Sequence, residues 1–293
     1  MQETPLVTVL CSCYNHGQFV VECLTSVLNQ TYTNIQLIVI DDFSIDNSVT
    51  VIDTFIKKFP QITFIKNKQN LGITTSVNSA ARLAKGEYII DLAADDILLP
   101  HCVALQIEKF KENCFENLAI VYGNAELISE NGTHLSYYFD VDATLKTIQK
   151  KPKGNLYLDI ISPEVTICSV SGMMKKTVFD ALKGYDNSLA YEDFDYWIRV
   201  SRNYNIDFID GVLVQKRILP NSLHASFSAP KNKIAASTYI ILKKAFSLNR
   251  NKKEYFVLRK RVNFEIINNY RTGNYFLMIQ NCLLRFRIFI KTI

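Results

Sequence analysis

The chain has 293 residues, 48% apolar and 21% charged, the balance of a folded protein with a sizeable core, and this excludes a disordered or fibrous chain. Ten glycines, seven prolines and no internal repeat exclude collagen-like and low-complexity classes. The net charge of +5 hides an asymmetry: residues 229–293 hold 14 Lys and Arg against Glu254 and Glu265, a net of +12, which leaves −7 for residues 1–228.

Residues 6–13, LVTVLCSC, are an apolar, β-favouring run. Helical spacing follows at 17–29, through Val20, Cys23, Leu24, Val27 and Leu28. IQLIVID at 35–41 reads as a strand buried on both faces. Asp46 and Ser48 suit the start of a helix whose Val49, Ile52, Ile56 and Phe59 share one side. A strand at 62–66, a helix through Val77, Ala80, Ala81 and Ala84, and a strand at 87–92 complete β-α-β-α-β-α-β. That alternation predicts a mainly parallel α/β sheet flanked by helices, with ligands beyond the carboxyl ends of the strands. Further strands are expected at 118–122, 165–171 and 207–214, with a helix near 193–203 and an irregular excursion over 129–157. From Pro230 the chain reads as basic helix, so the expected division is 1–228 and 229–293.

Seven cysteines form no C-x-x-C pair, and reduced structural thiols are expected. MQETPLVTVLCSCY lacks the basic flank and cleavage site of a signal peptide. No window offers the roughly 18 uninterrupted apolar residues of a spanning helix. The expected location is cytoplasmic.

Polar groups stand where the predicted strands end: Ser12-Cys13-Tyr14-Asn15, Asp41-Asp42 and Asp95-Asp96. CSCYNHGQ is not a dinucleotide fingerprint, and no ATPase loop, G-x-S-x-G elbow or H-E-x-x-H pair occurs. Oxygen ligands remain. Asp95 and Asp96 in DLAADDILLP suit a divalent ion shared with substrate phosphates, or else an exposed turn capping the helix that starts near Pro100.

The segment VTVLCSCYNHGQFVVECLTSVLNQTYTNIQLIVIDDFSIDNS resembles the opening of the inverting family-two glycosyltransferases, which have the GT-A nucleotide-sugar-binding fold. NLGITTSVN (70–78), GEYIIDLAADDILLP (86–100) and GYDNSLAYEDFDYWIRV (184–200) continue the resemblance in order, over roughly residues 6–228. It implies donor contacts at Ser12, Tyr14, Asn15, Asp42, Asn78 and Asp95, with Tyr14 either stacking on the base or packing in the core. It implies Mn²⁺ or Mg²⁺ at Asp95 and Asp96, although Ala93 replaces the first aspartate of the usual D-x-D-D. Asp193 matches the general base, with Glu192 beside it; helix N-terminal acids are the plainer explanation of that pair. Leu219 stands where relatives often carry a histidine, and His224 is the candidate substitute ligand. Trp197 is either helix packing or an acceptor platform.

The implied reaction moves a sugar from a nucleotide diphosphate, a UDP-sugar, to a saccharide or lipid-linked saccharide hydroxyl, in surface polysaccharide or lipopolysaccharide synthesis. A nucleotidyltransferase and a non-catalytic nucleotide-sugar or glycan-binding relative are the alternatives. In the tail, Gln280, Asn281, Arg287 and Lys291 share a helical face and apolar residues dominate the rest. That pattern suits either the anionic inner face of a membrane or packing on the domain. Nucleic acid is not an expected partner, because no binding motif accompanies the charge.

Overall fold

A computed structural model describes residues 4–112, 114–220 and 233–293. The predicted alternation is present as β1 (Val7–Cys13), α1 (Val20–Leu28), β2 (Ile35–Asp41), α2 (Ser48–Ile56), β3 (Thr63–Lys66), α3 (Ile73–Ala81) and β4 (Tyr88–Ala93). β1 pairs in parallel with β2 and β4, and β2 with β3, so the four strands end on one side. Val9, Leu10, Ile38, Val39, Ile40 and Ile89 are fully buried, as continuous apolar strands of a covered parallel sheet must be.

The chain continues through β5 (Ile97–Leu98), α4 (Cys102–Glu112), β6 (Leu118–Ile128), β7 (His134–Tyr137) and α5 (Tyr157–Ile161). Next come β8 (Met173–Lys175), α6 (Lys176–Ala181), α7 (Asp193–Ser201) and β9 (Asn205–Arg217). Three helices follow: α8 (Lys233–Leu248), α9 (Lys252–Arg271) and α10 (Tyr275–Thr292). The strands form one mixed sheet in the order β3-β2-β1-β4-β8-β6-β9-β5, with β7 paired to β6. β8 runs antiparallel to β4 and β6, while β9 runs parallel to β6.

Two expectations are corrected. Residues 165–171 are not a strand: they end in a 3-10 turn at Ser169–Ser171, and pairing begins only at Met173. Ser171 Oγ accepts the Gly123 N–H and has the Gly123 and Cys168 carbonyl oxygens within reach of its one proton, so the end of this apolar run is fixed by a side chain rather than a ladder. The excursion over 129–157 is not wholly irregular, because Asn131-Gly132 turns β6 back onto β7, with Gly132 at φ +80°.

Contacts divide the chain into two compact units, residues 1–154, 168–187 and 204–218, and residues 155–167, 188–203 and 219–293. The first holds the whole sheet. The second is helical, built from α5, α7, α8, α9 and α10. Within it the Tyr157 hydroxyl sits 2.7 Å from the Asn249 side-chain amide, and the Arg202 guanidinium lies 3.8 Å over the Tyr157 ring. Asp195, buried, accepts from Arg199 and from Lys244, both at 2.7 Å, which ties α7 to α8. Asn251 caps α9 by accepting the Glu254 N–H, and its amide donates back to the Glu254 carboxylate.

Ile89→Ala truncates a fully buried side chain in the core of the sheet and is expected to cost about 2–5 kcal/mol in denaturant unfolding. Ile148→Ala, at an exposed loop position, is expected to stay within about 0.5 kcal/mol of the parent.

Candidate active site

Register brings the polar strand ends to one edge of the sheet. Ser12 lies opposite Ile40 and Ala93, and Cys13 opposite Asp41. The loops that follow are knitted together. Asn15, at φ +58°, donates its backbone N–H to Ser44 Oγ and accepts the Ile45 N–H on its side chain. The His16 N–H reaches Ser48 Oγ, and the Gly17 N–H reaches Asp46 Oδ2. A Cβ at Gly17 would lie 2.1 Å from Asn47 Oδ1 and 2.9 Å from the Ser48 nitrogen, so only glycine fits this close approach. Asn47 stands at the cap position of α2, and Asp46 meets the start of the helix as expected: its Oδ1 accepts the Ser48 N–H while its Oδ2 accepts the Gly17 N–H. Tyr14 is 45% exposed at this edge, which removes core packing as its reason. Ser12 is half-buried there.

Asp42 organises the next loop. Its Oδ1 accepts from Asn67 Nδ2, the Leu71 N–H and Ser76 Oγ, and its Oδ2 accepts the Gly72 N–H, all at 2.8–2.9 Å. Among the described residues Oδ2 carries one bond and keeps a lone pair for a further donor. Asp41 Oδ1 accepts the Ser44 N–H, while its buried Oδ2 has no partner among the described residues. Asn78 uses both ends of its amide on residues 185–187: Nδ2 donates to the Tyr185 carbonyl and Asn187 Oδ1, and Oδ1 accepts the Tyr185 N–H.

The Asp95-Asp96 turn is held from three elements. On the β1 side, the Ala94 N–H donates to the Ser12 carbonyl. From α1, Ser26 Oγ accepts the Leu98 N–H; buried Gln30 donates to the Leu99 carbonyl and accepts the Val103 N–H. At the end of β9, the Arg217 backbone N–H donates to Asp96 Oδ1 at 2.9 Å and its Nε to the Asp95 carbonyl at 3.1 Å. The rest of that guanidinium reaches the Ser129 and Glu130 carbonyls and Glu22 Oε2, over the Phe19 ring. Asp96 is therefore buried, 5% exposed, and not part of an exposed capping turn. Asp95 is the more accessible of the two, with His16 Nδ1 3.5 Å from its Oδ1.

Burial, and then the adjacent Asp95 carboxylate, push the Asp96 carboxyl up to about 8, even though the Arg217 N–H bond favours its ionised form. A divalent cation would relieve that repulsion, so the donor set fits a hard ion. Among the described residues no cluster of three or more His, Cys, Asp or Glu could hold an ion. Substrate oxygens would then complete its shell, the usual arrangement for Mg²⁺ at one or two carboxylates. His16, three residues past the end of β1, is the neighbour that sequence reasoning missed; only the folded loop brings it to Asp95. The candidate ligand His224 lies outside the described residues.

In the helical unit, Glu192 is the cap residue of α7 and Asp193 its first residue, both half-buried. Asp193 Oδ1 accepts the Phe194 N–H at 2.6 Å. Trp197 is buried, so it packs and offers no open platform.

Asp96 gives a pH signature. Between the ordinary carboxylate value near 4 and about 8, the folded state keeps a proton that the unfolded chain has lost, so stability falls as pH rises through this window. With EDTA present, urea unfolding from pH 5 to 9 is expected to show a steeper decline for the parent than for Asp96→Asn. Parallel curves would contradict the burial argument.

The model of the family described as "Glycosyl transferase family 2" matches residues 8–182. An uncharacterized glycosyltransferase of Methanocaldococcus jannaschii is 30% identical over 222 residues, covering 75% of this chain and 72% of the relative. Chondroitin synthase of Escherichia coli is 27% identical over 202 residues, 69% of this chain but only 27% of that protein. Among solved structures, Staphylococcus aureus TarS 1–349 in complex with UDP-GlcNAc superposes with a TM-score of 0.68 at 13% identity, over 94% of this chain and 79% of that one. The mannosyltransferase PcManGT of Pyrobaculum calidifontis, in complex with GDP-Man and Mn²⁺, gives 0.64 at 13% identity, over 96% and 74%. At such identity the superpositions speak for the fold, which is the GT-A fold. A GT-A sheet, carboxylates at its strand ends and a family match over more than half its length make this chain a glycosyltransferase of family 2.

Proposed function

We propose that the chain transfers a sugar from a UDP-sugar to an acceptor hydroxyl with inversion at the anomeric carbon. The observation that carries this reading is the common edge at which Tyr14, Asp42 and the Asp95-Asp96 pair follow strands β1, β2 and β4. Asp42 is acceptor-only and keeps a lone pair on Oδ2, which suits the N–H of a uracil. The exposed Tyr14 ring suits stacking on the base, and Ser12 and Asn15 flank it on the same loop. Asn78, through residues 185–187, positions rather than touches. Mn²⁺ or Mg²⁺ held by Asp95, with Asp96 beside it, would neutralise the departing diphosphate.

Asp193 is the proposed general base. Its carboxylate takes the proton of the acceptor hydroxyl as that oxygen bonds to the anomeric carbon, and the electron pair of the breaking bond leaves with UDP. Glu192 orients the acceptor. A place in surface polysaccharide or lipopolysaccharide synthesis, with a saccharide or lipid-linked saccharide acceptor, agrees with the similarity to chondroitin synthase.

A thermal-shift screen of nucleotide sugars with and without Mn²⁺ checks the donor. A UDP-sugar is expected to raise the melting temperature, and to do so more with the metal. Asp193→Asn is expected to keep that shift and lose transfer by about 10²–10⁴-fold, the usual contribution of a placed base. Unchanged transfer would remove Asp193 from the role, and a parent that binds but never transfers would favour a non-catalytic relative.

A further inference from the structure

α10 packs with an unexpected face inward. Asn281, Leu284 and Ile288 are its buried residues, although the sequence pattern groups Asn281 with the polar side. Phe276, Ile279, Leu283, Phe286 and Ile290, spaced three and four apart, lie on the opposite face and are exposed, Phe276 at 73%. α9 repeats the arrangement: Leu258 and Val262 are buried, while Phe256, Phe264, Ile267 and Tyr270 are exposed. At the turn between the helices the Tyr270 and Tyr275 rings meet edge to face at 6.2 Å. Scattered exposed apolar residues need no explanation, but two ordered stripes of them do.

The charge on these helices decides what covers them. Residues 233–293 contain two acidic side chains, Glu254 and Glu265, and both are buried. Arg202 grips Glu254 at 2.9 and 3.1 Å, and Arg261 meets Glu265 at 3.0 Å. Hydrogen bonds from Arg202 and the Arg250 N–H outweigh the desolvation of Glu254 and hold its carboxyl below the ordinary value. The exposed side chains therefore include Lys260, Arg271, Arg285, Arg287 and Lys291 but no carboxylate of these helices. Lys260 borrows one, Glu164, at 3.0 Å. A second copy of this chain, docked face to face, would set cations against cations. A spanning role is excluded for the described helices, none of which is long and apolar enough to cross a membrane.

We propose that the outer faces of α9 and α10 seat the chain on an anionic phospholipid surface. The Phe, Leu and Ile stripes enter the interface and the flanking Lys and Arg meet lipid phosphates, which is how amphipathic helices bind without spanning. This surface is independent of the transfer chemistry.

Co-sedimentation of the full chain with vesicles tests it. Binding is expected to phosphatidylcholine vesicles containing phosphatidylglycerol, weaker by about tenfold or more on phosphatidylcholine alone, and to fall as salt rises. Two exposed triple variants, Phe276→Ser/Leu283→Ser/Phe286→Ser and Arg271→Gln/Arg285→Gln/Lys291→Gln, are each expected to lose about tenfold or more. Both should keep the parent circular dichroism and the UDP-sugar thermal shift, which separates failure here from failure of the proposed transfer. Equal binding to neutral vesicles, no binding by the parent, or variants that bind as the parent does would overturn the proposal. A parent dimer in light scattering that the apolar variant dissolves would also overturn it, by assigning the face to a second copy.

Discussion

Two carboxylates on adjacent residues at the end of a buried strand repel each other, and much of the sheet unit is arranged around that repulsion. Asp96 is drawn inward to the backbone N–H of Arg217, while Asp95 stays closer to solvent beside His16. The Arg217 guanidinium spreads over the Asp95 carbonyl, two carbonyls of the β6–β7 turn and Glu22, so it fixes the turn without neutralising Asp96 directly. Burial, with the Asp95 carboxylate beside it, leaves the Asp96 carboxyl raised.

The family stretches serve this turn as much as they serve any ligand. In SVLNQTY, the Ser26 and Gln30 side chains reach across to Leu98, Leu99 and Val103 as well as bonding within their own stretch of chain. In DDFSIDNS, Asp46 and Ser48 bind the loop after β1, and Asp42 gathers the start of α3 through Leu71, Gly72 and Ser76. Gly184, at φ +66° with Asn78 Oδ1 where a Cβ would lie, shows the same logic at residues 185–187. Loops held in this way are already ordered before any ligand binds.

The four parallel strands and their helices were legible because the central strands are apolar on both faces and each helix keeps its 3.6-residue spacing. Residues 165–171 misled because Val165, Ile167 and Cys168 have strand composition, yet Ser171 captures the backbone before a ladder forms. The helical unit could not be read as a whole, since α5 and α7 join the C-terminal helices through contacts such as Tyr157 with Asn249, 92 residues apart. Ser12, Tyr14, Asn15, Asp42 and Asp95 share a strand-end edge as the alternation implied. The clasp of Arg217 and the approach of His16 were not legible, because both depend on loop closure rather than on spacing. The inward turn of Asn281 was hidden for a related reason: packing on α9, not polarity, set the roll of α10.

On the proposed reading, Asp95 and Asp96 complete a cation site only when a nucleotide diphosphate supplies the remaining oxygens. Calorimetric titration of UDP into the parent and Asp95→Asn, with and without Mn²⁺, addresses it most directly. The expected result is tight binding only with the metal, weakened by about tenfold or more in the variant, or about 1.4 kcal/mol. UDP binding of equal strength in both proteins, or in the absence of any divalent ion, would contradict it.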